Sequence, residues 1–316
     1  MNELKRSINK FQIVGTIDEI NLKVDNNVVN KRNSQIKGAI IKCDFKNPSV
    51  TINVNGQIIG VNFYPTYKQV EKDGKIIDNP RYKALETIMN YEKGTRVLAN
   101  CSLSENSYVD DKGNEPEFKS FPQLSAFQIT SSNVSDDDTA DGRISGVVKS
   151  IKDEVRNEEE TGRIIVEFYY MITDGSGDII ATPINLIVES DLADDFKDMY
   201  PIGSNCILDV EIINRQVGGN KKKVEGHFGR RESKVVDGFT VEEFSCFGGD
   251  PTLEEENEYF VSVDDMKDLL KERKVMIEAK ISEKKSENKK PTSSGLGTRK
   301  STVDTSTNID NENPFA

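Results

Sequence analysis

The strongest constraint on the fold is a weak internal repeat. Phe11-Gln-Ile-Val-Gly15-Thr-Ile-Asp-Glu-Ile20 near the start is matched by Gly142-Arg-Ile-Ser-Gly146-Val-Val-Lys-Ser-Ile151. Ile13 aligns with Ile144, Gly15 with Gly146, Ile17 with Val148 and Ile20 with Ile151. Alternating apolar residues predict a half-buried strand, and the central glycine predicts a bulge or sharp bend in each copy.

The parallel continues along the chain. Gly38-Ala-Ile-Ile-Lys-Cys-Asp-Phe45 reads as the second strand of the first copy, against Gly162-Arg-Ile-Ile-Val-Glu-Phe168 in the second. Val50–Val54, a turn at Gly56 and Ile58–Phe63 read as a further hairpin. Its counterpart is Tyr169–Ile172, the Asp174-Gly175-Ser176-Gly177 turn and Ile179–Val188. A short helix follows in each copy. Residues 80–90 place Leu85, Ile88 and Met89 on one face; residues 190–199 place Leu192, Phe196 and Met199 there, with Ser190 as N-cap. Gly94 and Gly203 then open aligned strands, and long polar hairpins lead to last strands at 123–129 and 238–244. Three strands, a helix and two strands is the order of an OB fold, a small Greek-key barrel. The expected class is mainly β: two tandem OB-fold-like barrels at 8–130 and 142–250, joined by an acidic linker at 131–141. A pair of sandwich domains is the competing architecture, but it needs no helix at the matching places.

Residues 251–285 read as an acidic connector and an amphipathic helix, opened by Ser262-Val-Asp-Asp265 in capping-box style. Met266, Leu270, Arg273, Ile277 and Ile281 form its stripe, which docks on the second barrel or mediates self-association through residues 263–283. From 286 to 316 the chain is polar and rich in Gly, Ser and Thr, and is predicted to be a disordered tail.

Composition argues against catalysis. There is one histidine, His227, and the four cysteines have no Cys-x-x-Cys spacing, so no zinc signature or His-based triad is expected. No phosphate-cradling loop and no nucleophile elbow occurs. Neither an enzymatic activity nor a cofactor or metal is predicted. The cysteines read as small buried thiols of a reducing compartment. No apolar run approaches a membrane span and no signal-peptide core is present, which predicts a cytoplasmic protein without membrane contact. The net charge is -12. Residues 251–316 carry 14 acidic against 11 basic side chains, so nine of the excess negative charges lie on residues 1–250. Any nucleic-acid binding therefore requires a local basic groove.

Such a groove can be read. Unpaired bases stack on aromatic rings beside cations that meet the phosphates. In an OB fold this happens across strands two and three, between the loops joining strands one–two and four–five. The first of these loops carries Lys23, Lys31, Arg32 and Lys37 in the first copy. Strand three runs into Tyr64, Tyr67 and Lys68, and Arg81, Tyr82 and Lys83 follow. In the second copy the four–five loop carries Lys221, Lys222, Lys223, His227, Phe228, Arg230 and Arg231, and Tyr169 is the candidate of Phe168-Tyr169-Tyr170. A solvated hairpin tip is the competing reading of the four–five loop.

The chain ends Ile309-Asp310-Asn311-Glu312-Asn313-Pro314-Phe315-Ala316. A lone aromatic flanked by acids on a polar tether suits a partner with an apolar pocket and a basic rim. The tip resembles the acidic, Pro-Phe-ending tails of bacterial and phage single-stranded DNA-binding proteins. With the barrels, the chain resembles a phage-type member with tandem OB folds, architecturally over residues 8–250 and at motif level over 309–316. That resemblance implies sequence-tolerant binding and protection of single-stranded DNA during replication, recombination and repair, in the host cytoplasm if the chain is phage-encoded. It also implies recruitment of replication or recombination proteins through Ile309, Asp310, Glu312, Pro314 and Phe315. Ala316 departs from the pattern, because bacterial tails usually finish on the Phe itself. The alternative is a non-enzymatic assembly protein that uses its barrels as docking modules, which the overall acidity favours.

Overall fold

The computed structural model describes residues 4–42, 49–111, 115–131, 137–156, 158–174, 177–217, 221–223, 233–235 and 239–288. The first half opens with β1 (Asn9–Asn21), then a hairpin of β2 (Lys23–Val29) and β3 (Lys37–Lys42), then β4 (Ser49–Val54) and β5 (Gln57–Asn62). Short strands β6 (Thr66–Tyr67), β7 (Gln69–Lys72) and β8 (Lys75–Asp78) precede helix α1 (Pro80–Ile88), and the long strands β9 (Arg96–Asp110) and β10 (Glu117–Ser131) complete it. The second half has β11 (Thr139–Arg156), β12 (Glu159–Thr173), β13 (Ile179–Val188), helix α2 (Ala193–Met199) and β14 (Asn205–Val217). A small hairpin of β15 (Lys221–Lys223) and β16 (Ser233–Val235) leads to β17 (Phe239–Gly249), and helix α3 (Val263–Asn288) follows.

Each half closes into a five-stranded barrel. In the first, β1 pairs with β4, β4 with β5, β5 in parallel with β10, β10 with β9, and β9 returns to β1. In the second, β11, β12, β13, β17 and β14 repeat that circuit, with β13 and β17 as the parallel pair. This is the OB topology, with α1 and α2 at matching places between strands three and four. Closure removes the open strand edges that would otherwise template aggregation.

The glycines aligned in the sequence stand where strand one crosses strand two. A Cβ at Gly15 would lie 2.3 Å from the Asn53 carbonyl oxygen, and one at Gly146 would lie 2.1 Å from that of Tyr169. Both strands shift register just beyond the second residue after the glycine, between Ile17 and Glu19 and between Val148 and Ser150. The repeat extends to hydrogen bonds. Gly94 N donates to Ile17 O at 2.7 Å, and Gly203 N donates to Val148 O at 2.8 Å. Both of these glycines have positive φ, 87° and 94°, where a side chain is strained.

One strand assignment is corrected. The described part of the segment expected as strand two of the first barrel, residues 38–42, does not hold that place; β4 does, and its residues were expected in the following hairpin. β3 instead pairs with β2 and β6 in an appended three-stranded sheet. Ala39, Ile40 and Ile41 are all buried, so β3 carries the apolar run of a barrel strand without occupying a barrel position. Helix α2 also starts later than expected, at Ala193, and Ser190 makes no cap.

The barrels are joined through their first strands. β1 pairs with β11 from Asn9↔Ile144 to Val14↔Thr139, which makes one ten-stranded sheet, and one apolar cluster runs through both interiors. Gly142 allows this contact, since a Cβ there would lie 2.4 Å from Lys10 O and 2.5 Å from the Phe11 ring.

Helix α3 crosses from one barrel to the other. Ser262 Oγ accepts from Asp265 N at 3.1 Å, which caps the helix as its sequence predicts. Met266 and Leu269 bury against Val147, Met171 and Ala181, the outer side of the second barrel. The expected docking on that barrel is therefore what the helix does. Further along, Arg273 enters a buried junction. Its guanidinium donates to Ala181 O at 3.0 Å and to both carboxylate oxygens of Glu105 on β9. Both side chains are less than 10% exposed, at 7% and 6%. Burial alone would push the Glu105 carboxyl up, but the hydrogen bonds and charge of Arg273 win and hold it below its ordinary 4.5.

These contacts set measurable costs. Gly15→Ala and Gly146→Ala should each lose about 1–3 kcal/mol in urea unfolding by overpacking, while Gly60→Ala, with open space around it, changes little. Arg273→Ala strands a buried carboxylate and should cost about 3–5 kcal/mol near neutral pH. Glu105 is depressed, so its paired contribution is complete above its ordinary value of 4.5 and is lost as pH falls through the folded-state value. The stability gap between wild type and Arg273→Ala should accordingly narrow in acid.

Candidate nucleic-acid interface

The first barrel carries a basic satellite built from two insertions. One is the β2–β3 hairpin between barrel strands one and two; the other is β6, β7 and β8 between strand three and α1. They are tied by hydrogen bonds at a common root. Lys68 N donates to Ala39 O at 2.8 Å, and Asn79 N donates to Lys68 O at 2.8 Å. The Asn79 side chain donates to Tyr67 O at 3.0 Å and accepts from Arg81 N at 3.1 Å, capping α1 where Pro80 has no N–H to offer. The β2–β3 tip is fixed in turn. Asn30 Oδ1 accepts from Arg32 N at 2.8 Å and Asn33 N at 3.3 Å, and Lys31 N donates to Tyr67 Oη at 3.2 Å. Asn33 also donates to Glu71 on β7.

This root gathers Lys31, Arg32, Tyr67, Lys68 and Arg81, with Lys83 two residues on and Tyr64 two residues past the end of strand three. Tyr64 is 58% exposed. Lys31, Arg32, Lys68, Arg81 and Lys83 are exposed, as are Lys37, Lys72 and Lys75. Among the described residues none of these eight cations enters an ion pair. The breadth of the cluster is legible in charge alone: residues 22–83 hold 11 Lys and Arg against five Asp and Glu in a chain of net charge -12. Lys72 and Lys75 flank the Asp73-Gly74 turn of the β7–β8 hairpin with no aromatic residue beside them in the sequence, so a pattern of interleaved rings and cations does not single them out.

Two candidates stand apart from this root. Tyr82 is 4% exposed and belongs to the core with Leu85 and Ile88, because the face of α1 that carries it turns onto the barrel. Tyr169 does point outward from β12, but it packs against the cluster beneath α3. The strand-two and strand-three face of the second barrel is thus covered by the protein's own helix around Met171 and Ala181.

The second barrel's described arginines on this side are also engaged. Arg156 pairs with Glu154 at 2.8 Å and Glu243 at 2.6 Å, and Arg163 with Glu243 at 2.8 Å. Burial opposes ionisation of Glu243, yet the two arginines hold its carboxyl below the usual range. Lys221, Lys222 and Lys223 form β15, paired to β16 in the expected four–five hairpin. His227, Phe228, Arg230 and Arg231 lie outside the described residues, as do Ile309, Asp310, Glu312, Pro314 and Phe315 of the tip.

Burial pushes the thiols of Cys101 and Cys246 up to about 12 and about 11, and that of Cys206 up as well, which leaves them protonated and poor nucleophiles. Among the described residues no group of three or more His, Cys, Asp or Glu is placed to hold a metal ion, and no helix is long and apolar enough to cross a membrane.

Solved structures with a similar fold include a deletion mutant and the wild type of the single-stranded DNA-binding protein from Thermus aquaticus. The first is 11% identical with a TM-score of 0.45, over 80% of this chain and 98% of that one. The second is 11% identical with a TM-score of 0.43, over 80% and 97%. No curated protein sequence matches the chain. The profile of the YorF family matches residues 7–288, nearly the whole described chain, and the protein belongs to that family.

Proposed function

We propose that the chain binds single-stranded DNA, with little regard for sequence, through the basic face of its first barrel. The observation that carries this reading is the cluster of eight exposed cations, without ion pairs among the described residues, beside Tyr64 and Tyr67 in a chain that is otherwise strongly acidic. A local positive field of this kind meets phosphates, whose condensed counterions are released on binding. The tyrosines supply π-faces that unpaired bases can stack on and duplex bases cannot reach. The position is also apt, since the satellite includes the strand one–two connection that walls an OB groove. The second barrel supports the first through β11 and α3, and its basic β15–β16 hairpin is a further contact. In this reading the protein protects transient single strands during replication, recombination or repair. Its acidic tip, Asp310 to Phe315, recruits replication or recombination proteins, a role that rests on the sequence of the tip.

The test is a fluorescence anisotropy titration with a labelled dT oligonucleotide of about thirty bases, near the upper coverage of two barrels. Tight binding that weakens with salt and is not competed by duplex is expected. Lys31→Glu with Arg32→Glu should weaken binding and lower the slope of log K against log salt by about 1.4, two phosphate contacts at roughly 0.7 each. A chain cut before Pro291 should bind as well or better, because the acidic tip no longer competes for the cations. Absence of binding by the wild type at low salt would reject the proposal.

A further inference from the structure

Strands β9 and β10 run on together past the barrel as a two-stranded arm, paired out to Asp110↔Glu117. Its two faces differ. The face that continues the barrel interior carries Glu105, Ser107, Phe118 and Ser120, and α3 covers it. Arg273 holds Glu105, Lys280 Nζ donates to Ser107 Oγ at 3.1 Å, and the same ammonium lies 5.4 Å from the centre of the Phe118 ring. The outward face carries Asn106 opposite Phe121 and Tyr108 opposite Lys119. Here Tyr108 and Phe121 are 48% and 45% exposed and meet each other edge-on, with ring centres 6.4 Å apart and planes at 74°.

We infer that Tyr108 and Phe121 form a second stacking platform for unpaired bases, held in place from behind by α3. The inference rests on the single-strand reading and extends it to residues outside the basic satellite. An edge-on pair uses one ring's edge and the other's face, so open π-faces remain on both rings. Two large rings side by side in water add little to folding, whereas a braced sheet presents them at no further cost in ordering. The arm is the hairpin between barrel strands four and five, the second wall of an OB groove. Lys119 stands directly opposite Tyr108, and its pairs with the partly exposed Asp110 at 3.2 Å and the exposed Glu117 at 3.5 Å are weak enough to yield to a phosphate.

The chain contains no tryptophan, so Phe121→Trp introduces a single reporter on the outward face. Its emission should be quenched by a dT oligonucleotide of about thirty bases. Tyr108→Ala and Phe121→Ala should each weaken binding roughly five-fold or more, the lower end of what one stacked base contributes. The salt slope should stay that of the wild type, because stacking releases no counterions. Wild-type-like affinity in both alanine variants and unquenched emission from the Phe121→Trp variant, while the native chain still binds, would overturn this inference and leave the single-strand reading standing. Failure of the native chain to bind at all would remove both.

Discussion

The fold depends on the room left at two glycines. For a five-stranded sheet to close on itself, strand one must bend sharply across strand two. At Gly15 and Gly146 the backbone of the neighbouring strand stands where a side chain would begin. From that crossing the rest follows in both halves. The strand bulges just beyond the glycine, Gly94 or Gly203 ties the start of strand four to it, and strands three and five meet in parallel to complete the circuit. A third tight glycine, Gly142, lets the two first strands pair, so that two barrels become one sheet with a common core.

The same closure serves two different surfaces. The first barrel bears Lys31, Arg32, Lys37, Lys68, Lys72, Lys75, Arg81 and Lys83, exposed and, among the described residues, without ion pairs, while Lys42 at the base of the β2–β3 hairpin pairs with Asp25. The second turns Arg156 and Arg163 onto Glu154 and Glu243, and α3 lies over part of its strand-two and strand-three face. The same architecture thus carries the exposed, unpaired cations of the satellite on the first barrel and, among the described residues, engaged arginines at 156 and 163 on the second. The Arg273–Glu105 pair is informative here. A buried ion pair is weak evidence for net stability, but its geometry fixes where the helix can sit. Because Arg273 bonds to Glu105 of one barrel and Ala181 of the other, α3 sets the relation of the arm to the second barrel.

Much of the fold was legible in the sequence, because a glycine and an alternating apolar pattern carry the same physical demand wherever they recur. The pairings of Gly15 with Gly146 and of Gly94 with Gly203 were both recoverable, and they fixed the strand order and the places of α1 and α2. Strand two of the first barrel was misplaced. Burial alone cannot say which sheet a strand joins, and β3 buries Ala39, Ile40 and Ile41 as thoroughly as a barrel strand does. The site was legible in part. Lys31, Arg32, Tyr67, Lys68 and Arg81 lie at the hydrogen-bonded root of the two insertions. Tyr82 turns inward with Leu85 and Ile88, as its place three residues before Leu85 on the apolar face implies, whereas nothing in the sequence says what lies over the outward Tyr169. Tyr108 and Phe121 lie in a stretch that reads as a polar hairpin, and only the pairing of β9 with β10 brings them onto one face.

The most direct test of the account is amide hydrogen exchange of the full chain with and without a saturating dT oligonucleotide. The account predicts slower exchange in β2, β3, β6 and the first turn of α1, together with β9 and β10 around Tyr108 and Phe121. The β12 and β13 segments beneath α3 should be unchanged. Protection confined to the second barrel, or loss of protection in β12 and β13 as α3 lifts away, would contradict it and place the binding face on the barrel that the structure covers.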